Sequence, residues 1–248
     1  MNLVLIESDE VNIAGQVTLA DARAVHLLDV LGVSPGTTVR VGLADGPLGT
    51  AVVTGVGPRA VSLRCTFEPT PPPRPAIDLL LALPRPKVLR RLWAQLAALG
   101  VGQIILTNAA RVERNYFDSH VLQPTSYRPL LIEGLQQARD TSVPRVSVHR
   151  QFRILVEDRL DALTAARLRL VAHPHSGARL RDTLADRGAS PVLLAVGPEG
   201  GWNDFELALL ESRGFQSIGL GARTLRVDTA CVVLLGILRE AIEKSSEK

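Results

Sequence analysis

The chain has 248 residues, 46% hydrophobic and 21% charged. That composition excludes a disordered, fibrous or disulfide-scaffolded protein and is enough to bury a real core. Net charge is only +3, so any basic surface has to be local; between Pro84 and Arg114 stand Arg85, Lys87, Arg90, Arg91, Arg111 and Arg114 against Glu113 alone, a cluster that can meet phosphates. The two cysteines, Cys65 and Cys231, lie far apart with no CxxC, which fits a reducing compartment and gives no metal site. No basic-then-apolar signal opens the chain, and no apolar run approaches a membrane span. The expectation is a cytoplasmic protein without membrane or metal partners.

The first 70 residues read as β-rich. "LVLI", "QVTL", "TTVRVGLA", "GTAVVTGVG" and "AVSLRCTF" are separated by the turn formers Ser34-Pro35-Gly36, Asp45-Gly46-Pro47 and Gly57-Pro58. Short strands at close spacing predict a small barrel, interrupted by one helix over about 20–31, where Ala24, Leu27, Leu28 and Leu31 recur at helical spacing. "EPTPPPRP" (68–75) holds five prolines in eight residues and predicts a stiff linker between a domain of residues 1–70 and one of 76–248.

The second part alternates strand and helix. "AIDLLLAL", "QIILT", "RLRLVAH", "PVLLAV" and "FQSIGL" read as strands, and "KVLRRLWAQLAALG", "SYRPLLIEGLQQARD", "DFELALLESRG" and "TACVVLLGILREAIEK" as helices. Apolar strands without alternation predict an α/β fold with a parallel sheet covered on both faces. The last helix is apolar nearly all round from Ala230 to Leu238. Its outer face needs a second cover, which a homodimer supplies most simply.

Three strand ends carry irregular loops: "VAHPHSG", "VGPEGGWNDFE" and "LGARTLRVDTA". In an open parallel sheet ligands bind at that edge, so three such loops are expected to converge on one pocket. "VGPEGG" has no lysine and fits neither GxxxxGK[ST] nor GxGxxG. It offers bare backbone, a proline-fixed bend and a carboxylate, which suits a cationic or neutral adenosine-like ligand better than a phosphate. Asn203 and Glu206 make a capping-box pattern for the helix that follows. His173 and His175 stand at i, i+2 with no third ligand at useful spacing, so a metal is not expected.

"AVGPEGGWNDFE…GFQSIGLGARTLRVDTA" resembles the paired signature of the ribosomal RNA small subunit methyltransferase E family, within the trefoil-knotted SPOUT methyltransferases. "LPRPKVLRRLWAQLAALGVGQIIL", "ARVERNYFDSHVL" and "GLQQARDTSVP" are similar to the same family, and the barrel with "HLLDVLG" resembles its PUA-like RNA-binding domain. The resemblance implies a knotted C-terminal sheet, a homodimer, S-adenosylmethionine as cofactor, and methylation of N3 of a uridine in 16S rRNA of the small ribosomal subunit. The cofactor lining it implies is Ala172, His173, Val196, Gly197, Pro198, Glu199, Gly200, Gly201, Leu220, Gly221, Leu225, Arg226, Thr229 and Ala230. Arg226 is expected to stabilise charge on the uracil, and Glu199 to orient a group or take the N3 proton. Arg23, Arg85, Lys87, Arg111, Arg114 and Tyr116 are the expected RNA contacts.

Where the family often has a basic residue after "VL", this chain has Gly32, and the arginine–glutamate pair before "TA" reads Arg226 and Asp228. These departures keep open a non-catalytic RNA-binding or ribosome-assembly factor, and the superfamily also contains enzymes of tRNA.

Overall fold

The computed structural model describes residues 3–184 and 191–246. The chain forms two compact units. One takes the chain to Arg74 together with Ile132–Val143; the other takes Pro75–Leu131 and Pro144 onward.

The first unit is built on a five-stranded sheet of β1 (Val4–Ile6), β2 (Gln16–Leu19), β3 (Thr38–Leu43), β4 (Leu48–Val56) and β5 (Val61–Phe67), ordered β1-β3-β4-β5-β2. Only β1 and β3 pair in parallel. Strand β5 shows the period-two pattern of a one-sided sheet: Val61, Leu63 and Cys65 are buried while Arg64 and Thr66 face out. With Val4, Ile6, Val17, Leu19, Val41 and Val53 they form an aliphatic core. The helix expected over 20–31 is one α-helical turn, α1 (Ala22–Val25), which widens into a π turn over His26–Val30. Asp21 caps it by accepting from the Arg23 amide at 2.9 Å. No composition shift marks Ile132–Val143 as part of this unit. It is fastened there by Thr141, whose Oγ1 donates to the Gly46 carbonyl at 2.6 Å and whose carbonyl accepts from the Asp45 amide at 2.8 Å.

The second unit holds, in chain order, β6 (Ile77–Ala82), α2 (Pro86–Ala98), β7 (Val101–Thr107), the start of α3 (Pro124–Ala138), β8 (Arg145–His149), α4 (Phe152–Ile154), α5 (Leu160–Leu163), β9 (Leu168–Ala172), α6 (Leu180–Leu184), β10 (Val192–Val196), α7 (Asp204–Ser212), β11 (Phe215–Ile218) and α8 (Val227–Ser246). Its six strands are ordered β11-β9-β10-β6-β7-β8, and every pairing is parallel. All five expected strands are present. Strand β8 and the α4–α5 segment were not anticipated. The sequence of β8, RVSVH, is polar at alternate positions and sits at the sheet edge, so it lacks the apolar run of a central strand. By contrast β10 is buried at all five residues.

Helix α2 buries Val88, Leu89, Leu92, Trp93, Leu96 and Ala97 on one stripe and leaves Lys87, Arg90 and Arg91 exposed. Pro86 starts it, and Gly100 ends it in the left-handed region at φ +72°. Helix α8 packs on α2, α6, β6 and β10 and buries Cys231, Leu234, Leu235 and Leu238, while Val233 on its other side is exposed. No helix among the described residues is long and apolar enough to cross a membrane.

Candidate active site

Because all six strands run parallel, their carboxyl ends share one edge. The chain moves to one side of β6 to make β7 and β8, then returns to the other side for β9, β10 and β11. The order reverses between β6 and β10, where an open α/β sheet leaves a crevice. A cavity of about 580 Å³ opens there, within the ordinary range for small-molecule sites.

Three loops form its walls. After β9 come His173 and Pro174; after β10, Gly197, Pro198, Glu199, Gly201 and Trp202; after β11, Gly219, Leu220 and Gly221, then Arg223 to Arg226. The first and third are joined: the His173 amide donates to the Ile218 carbonyl, Ser176 Oγ to the Ser217 carbonyl, and the Gly219 amide to the Ala178 carbonyl, each at 2.9 Å. A Cβ on Gly219 would stand 3.1 Å from the Ser176 carbonyl and 3.3 Å from that of His173, so only a bare backbone lets these loops approach. The second is tied to the start of α2, where the Arg85 amide donates to Glu199 Oε1 at 3.0 Å.

Within the Gly197–Trp202 loop the Gly201 amide donates to the Pro198 carbonyl at 2.8 Å, and Gly201 is left-handed at φ +73°. Trp202 is buried against the Phe152 ring at 5.4 Å between centroids. It lines the cavity, and its buried Nε1 has no hydrogen-bond partner among the described residues. A Cβ on Gly197 would come within 3.2 Å of the Trp202 ring and amide. The expected capping box is present in full: Asn203 Oδ1 accepts from the Glu206 amide at 2.8 Å, and Glu206 Oε2 from the Asn203 amide at 2.9 Å.

At the other wall Asp228 collects two guanidinium groups, Arg91 from α2 at 2.8 Å and Arg226 at 3.3 Å. Burial pushes the Asp228 carboxyl up, but the Arg91 hydrogen bond, the Thr229 amide and the charge of Arg226 outweigh it, and the carboxyl titrates below its ordinary value. The Arg226 side chain itself is 69% exposed. In the segment after β7 the Tyr116 hydroxyl donates to Glu113 Oε1 at 3.1 Å. Burial and that bond raise the hydroxyl's pKa, against an opposing pull from Arg85.

Of the expected cofactor residues, all but Gly200 and Thr229 line the cavity. Arg85, expected on the RNA side, lines it as well. Lys87 and Arg114 are exposed on the surface. Arg111 donates to the carbonyls of Gly200 and Trp202. Arg23 has all three guanidinium nitrogens engaged, by Glu10, Asp21 and the Leu5 carbonyl, and its side chain is 16% exposed. Those bonds hold the Glu10 and Asp21 carboxyls below their ordinary values. Sequence reasoning missed Arg91, counted only as bulk charge, and the second bond of Glu206, whose Oε1 accepts from the Ala110 amide at 2.6 Å. Neither pairing has a local signature. No group of three or more metal-ligating side chains occurs among the described residues.

A family model for the RNA methyltransferase domain matches residues 70–239. Over 95% of its length the chain is 30% identical to the ribosomal RNA small subunit methyltransferase E of Treponema pallidum, covering 91% of that protein. The chain belongs to the ribosomal RNA small subunit methyltransferase E family. The Mycobacterium bovis protein of the same name is 28% identical, with 95% of this chain and 91% of that one covered. In fold the chain is similar to the Neisseria gonorrhoeae methyltransferase E bound to S-adenosylmethionine, with a TM-score of 0.76, 21% identity and 98% of each chain covered. It is also similar to a Legionella pneumophila methyltransferase in complex with the same cofactor, at TM-score 0.73, 21% identity and 97% coverage of each.

Proposed function

We propose that this protein uses S-adenosylmethionine to methylate N3 of a uridine in 16S rRNA. The observation that carries the reading is the convergence of three strand-end loops on one 580 Å³ cavity in a chain of this family.

The cavity suits the cofactor. Val196, Ile218, Leu220, Leu225 and Val227 offer an apolar wall for a purine, while the glycines bring backbone close to it. Glu199 and Asp228 supply negative charge near a cationic sulfonium, and Trp202 Nε1, without a partner among the described residues, is a donor for a ligand acceptor. Bound there, S-adenosylmethionine provides an electrophilic methyl group, and holding it in line with the acceptor nitrogen does most of the catalytic work.

The chain's own residues handle the uracil. As the N3 proton leaves, negative charge spreads onto the flanking carbonyl oxygens, and Arg226 donates to them. Asp228 holds Arg226 while Arg91 holds Asp228, so the arginine is presented from a fixed anchor. Glu199 fastens its loop through Oε1, and its second oxygen, Oε2, is the acceptor we assign to the departing proton. Arg85, Lys87, Arg114, Tyr116 and the exposed Arg223 form the basic approach for rRNA, whereas Arg23 serves the first unit's ionic cluster. We read the first unit as a PUA-like barrel, the second as a knotted SPOUT domain, and the open side of α8 around Val233 as a homodimer contact.

Incubation with methyl-labelled cofactor and small subunits from cells lacking the enzyme, followed by nucleoside mass spectrometry, tests this directly. N3-methyluridine in 16S rRNA is the expected product. Label confined to tRNA, or none despite cofactor binding, overturns the assignment.

A further inference from the structure

Residues 109–112, after β7, and residues 200–206, after β10, are two sides of one hydrogen-bonded structure. Arg111 Nη1 donates to the carbonyls of Gly200 and Trp202. Its aliphatic stem lies across Gly200, where a Cβ would sit 2.8 Å from Arg111 Cδ and 3.2 Å from its Cβ. One residue earlier, the Ala110 amide donates to Glu206 Oε1, and Glu206 is only 3% exposed. The same carboxylate accepts from the Asn203 amide through Oε2. A peptide unit is planar, so fixing the Gly200 and Trp202 carbonyls also fixes the amide planes on their far sides.

We propose that Arg111 is a positioning residue of the cofactor loop, not an RNA contact, and that the brace made by Arg111 on the Gly200 and Trp202 carbonyls and by the Ala110 amide on Glu206 couples the cofactor site to the 109–118 segment. The proposal rests on the reading of the cavity as the cofactor site. The two N–H groups of one guanidinium nitrogen, Nη1, reach two carbonyls of one turn, and the long, permanently charged side chain carries them there. Arg114 and Tyr116 follow on the same segment. RNA held there and cofactor held by the Gly197–Trp202 loop act on one braced structure. By linkage each then strengthens the other's binding by the same factor.

Arg111→Met keeps an aliphatic stem over Gly200 and removes the donors; Arg111→Lys keeps a cationic donor group on a stem of similar length. Both are compared with the unaltered protein by calorimetric titration with S-adenosylmethionine, by filter binding of a 16S rRNA transcript without cofactor, and by steady-state kinetics. The methionine variant is expected to raise the cofactor Kd and KM about tenfold, the lysine variant less, with kcat at saturating cofactor and RNA affinity without cofactor within about twofold of the unaltered protein. The RNA-induced gain in cofactor affinity disappears in the methionine variant. An unchanged cofactor Kd with weakened cofactor-free RNA binding overturns the proposal and makes Arg111 an RNA contact. If the unaltered protein itself gives no heat with the cofactor, the cavity reading fails first, independently of the brace.

Discussion

The loop from Gly197 to Trp202 and the loop from Gly219 to Arg226 face the same cavity and follow two strands of one sheet, with β9 between them, yet they are held differently. The first is bonded to Arg85 on one side and Arg111 on the other, closes on itself through Gly201 and Pro198, and runs into a complete capping box. The second is exposed from Gly221 to Arg226, and its far end is tied by the chain Arg226–Asp228–Arg91. A wall fixed on both sides by hydrogen bonds to backbone groups sets affinity for a ligand that fits it. A wall held by exposed ion pairs can adapt to a substrate, and its charges decide turnover more than stability.

Breaking the first wall has the largest expected effect. Glu206→Ala removes a buried carboxylate that accepts from the Ala110 and Asn203 amides and is expected to lower stability by about 2–4 kcal/mol, read from chemical denaturation. Breaking the second wall separates stability from chemistry. Asp228→Asn removes the charge that holds both arginines, so kcat is expected to fall about tenfold while stability changes by less than about 1 kcal/mol. A stability loss as large as that of Glu206→Ala would erase the distinction.

The same contrast has an acid signature. The Asp228 carboxyl titrates below its ordinary 3.8 in the folded chain. Its ion pairs therefore contribute in full above that value and are lost as pH falls through the lower folded value. Glu10 and Asp21 around Arg23 behave alike below their ordinary 4.5 and 3.8. Melting profiles of the unaltered protein and Asp228→Asn should differ by a constant amount from about pH 8 to about pH 5 and converge only in stronger acid. Convergence already near neutrality would show that another group controls the bridge. The smallest effect belongs to Arg223→Ala. This exposed residue is expected to change stability by less than about 0.5 kcal/mol and to reduce the salt slope of RNA binding by about one.

The strands of the second unit were legible because parallel strands buried on both faces leave unbroken apolar runs, as in β6 and β10. Strand β8 was not, since an edge strand carries no such run. The loops could be placed at the ligand edge from strand–loop–helix order alone, and Asn203 with Glu206 was visible as a cap. What Glu206 does with its other oxygen depends on Ala110, 96 residues away in sequence, and Arg91 finds Asp228 across 137. Such pairings are products of topology. For the same reason the family resemblance put Arg23 among the RNA contacts, although the fold engages it with Glu10, Asp21 and a backbone carbonyl.

The central claim is that the glycine-floored cavity binds S-adenosylmethionine, and calorimetric titration of the unaltered protein and of Gly197→Val tests it most directly. A side chain at 197 enters the space held by the Trp202 ring and amide. Saturable binding by the unaltered protein, weakened at least about 100-fold in a variant that still melts cooperatively, is the predicted result. Equal affinity in both proteins, or no heat in either, contradicts it.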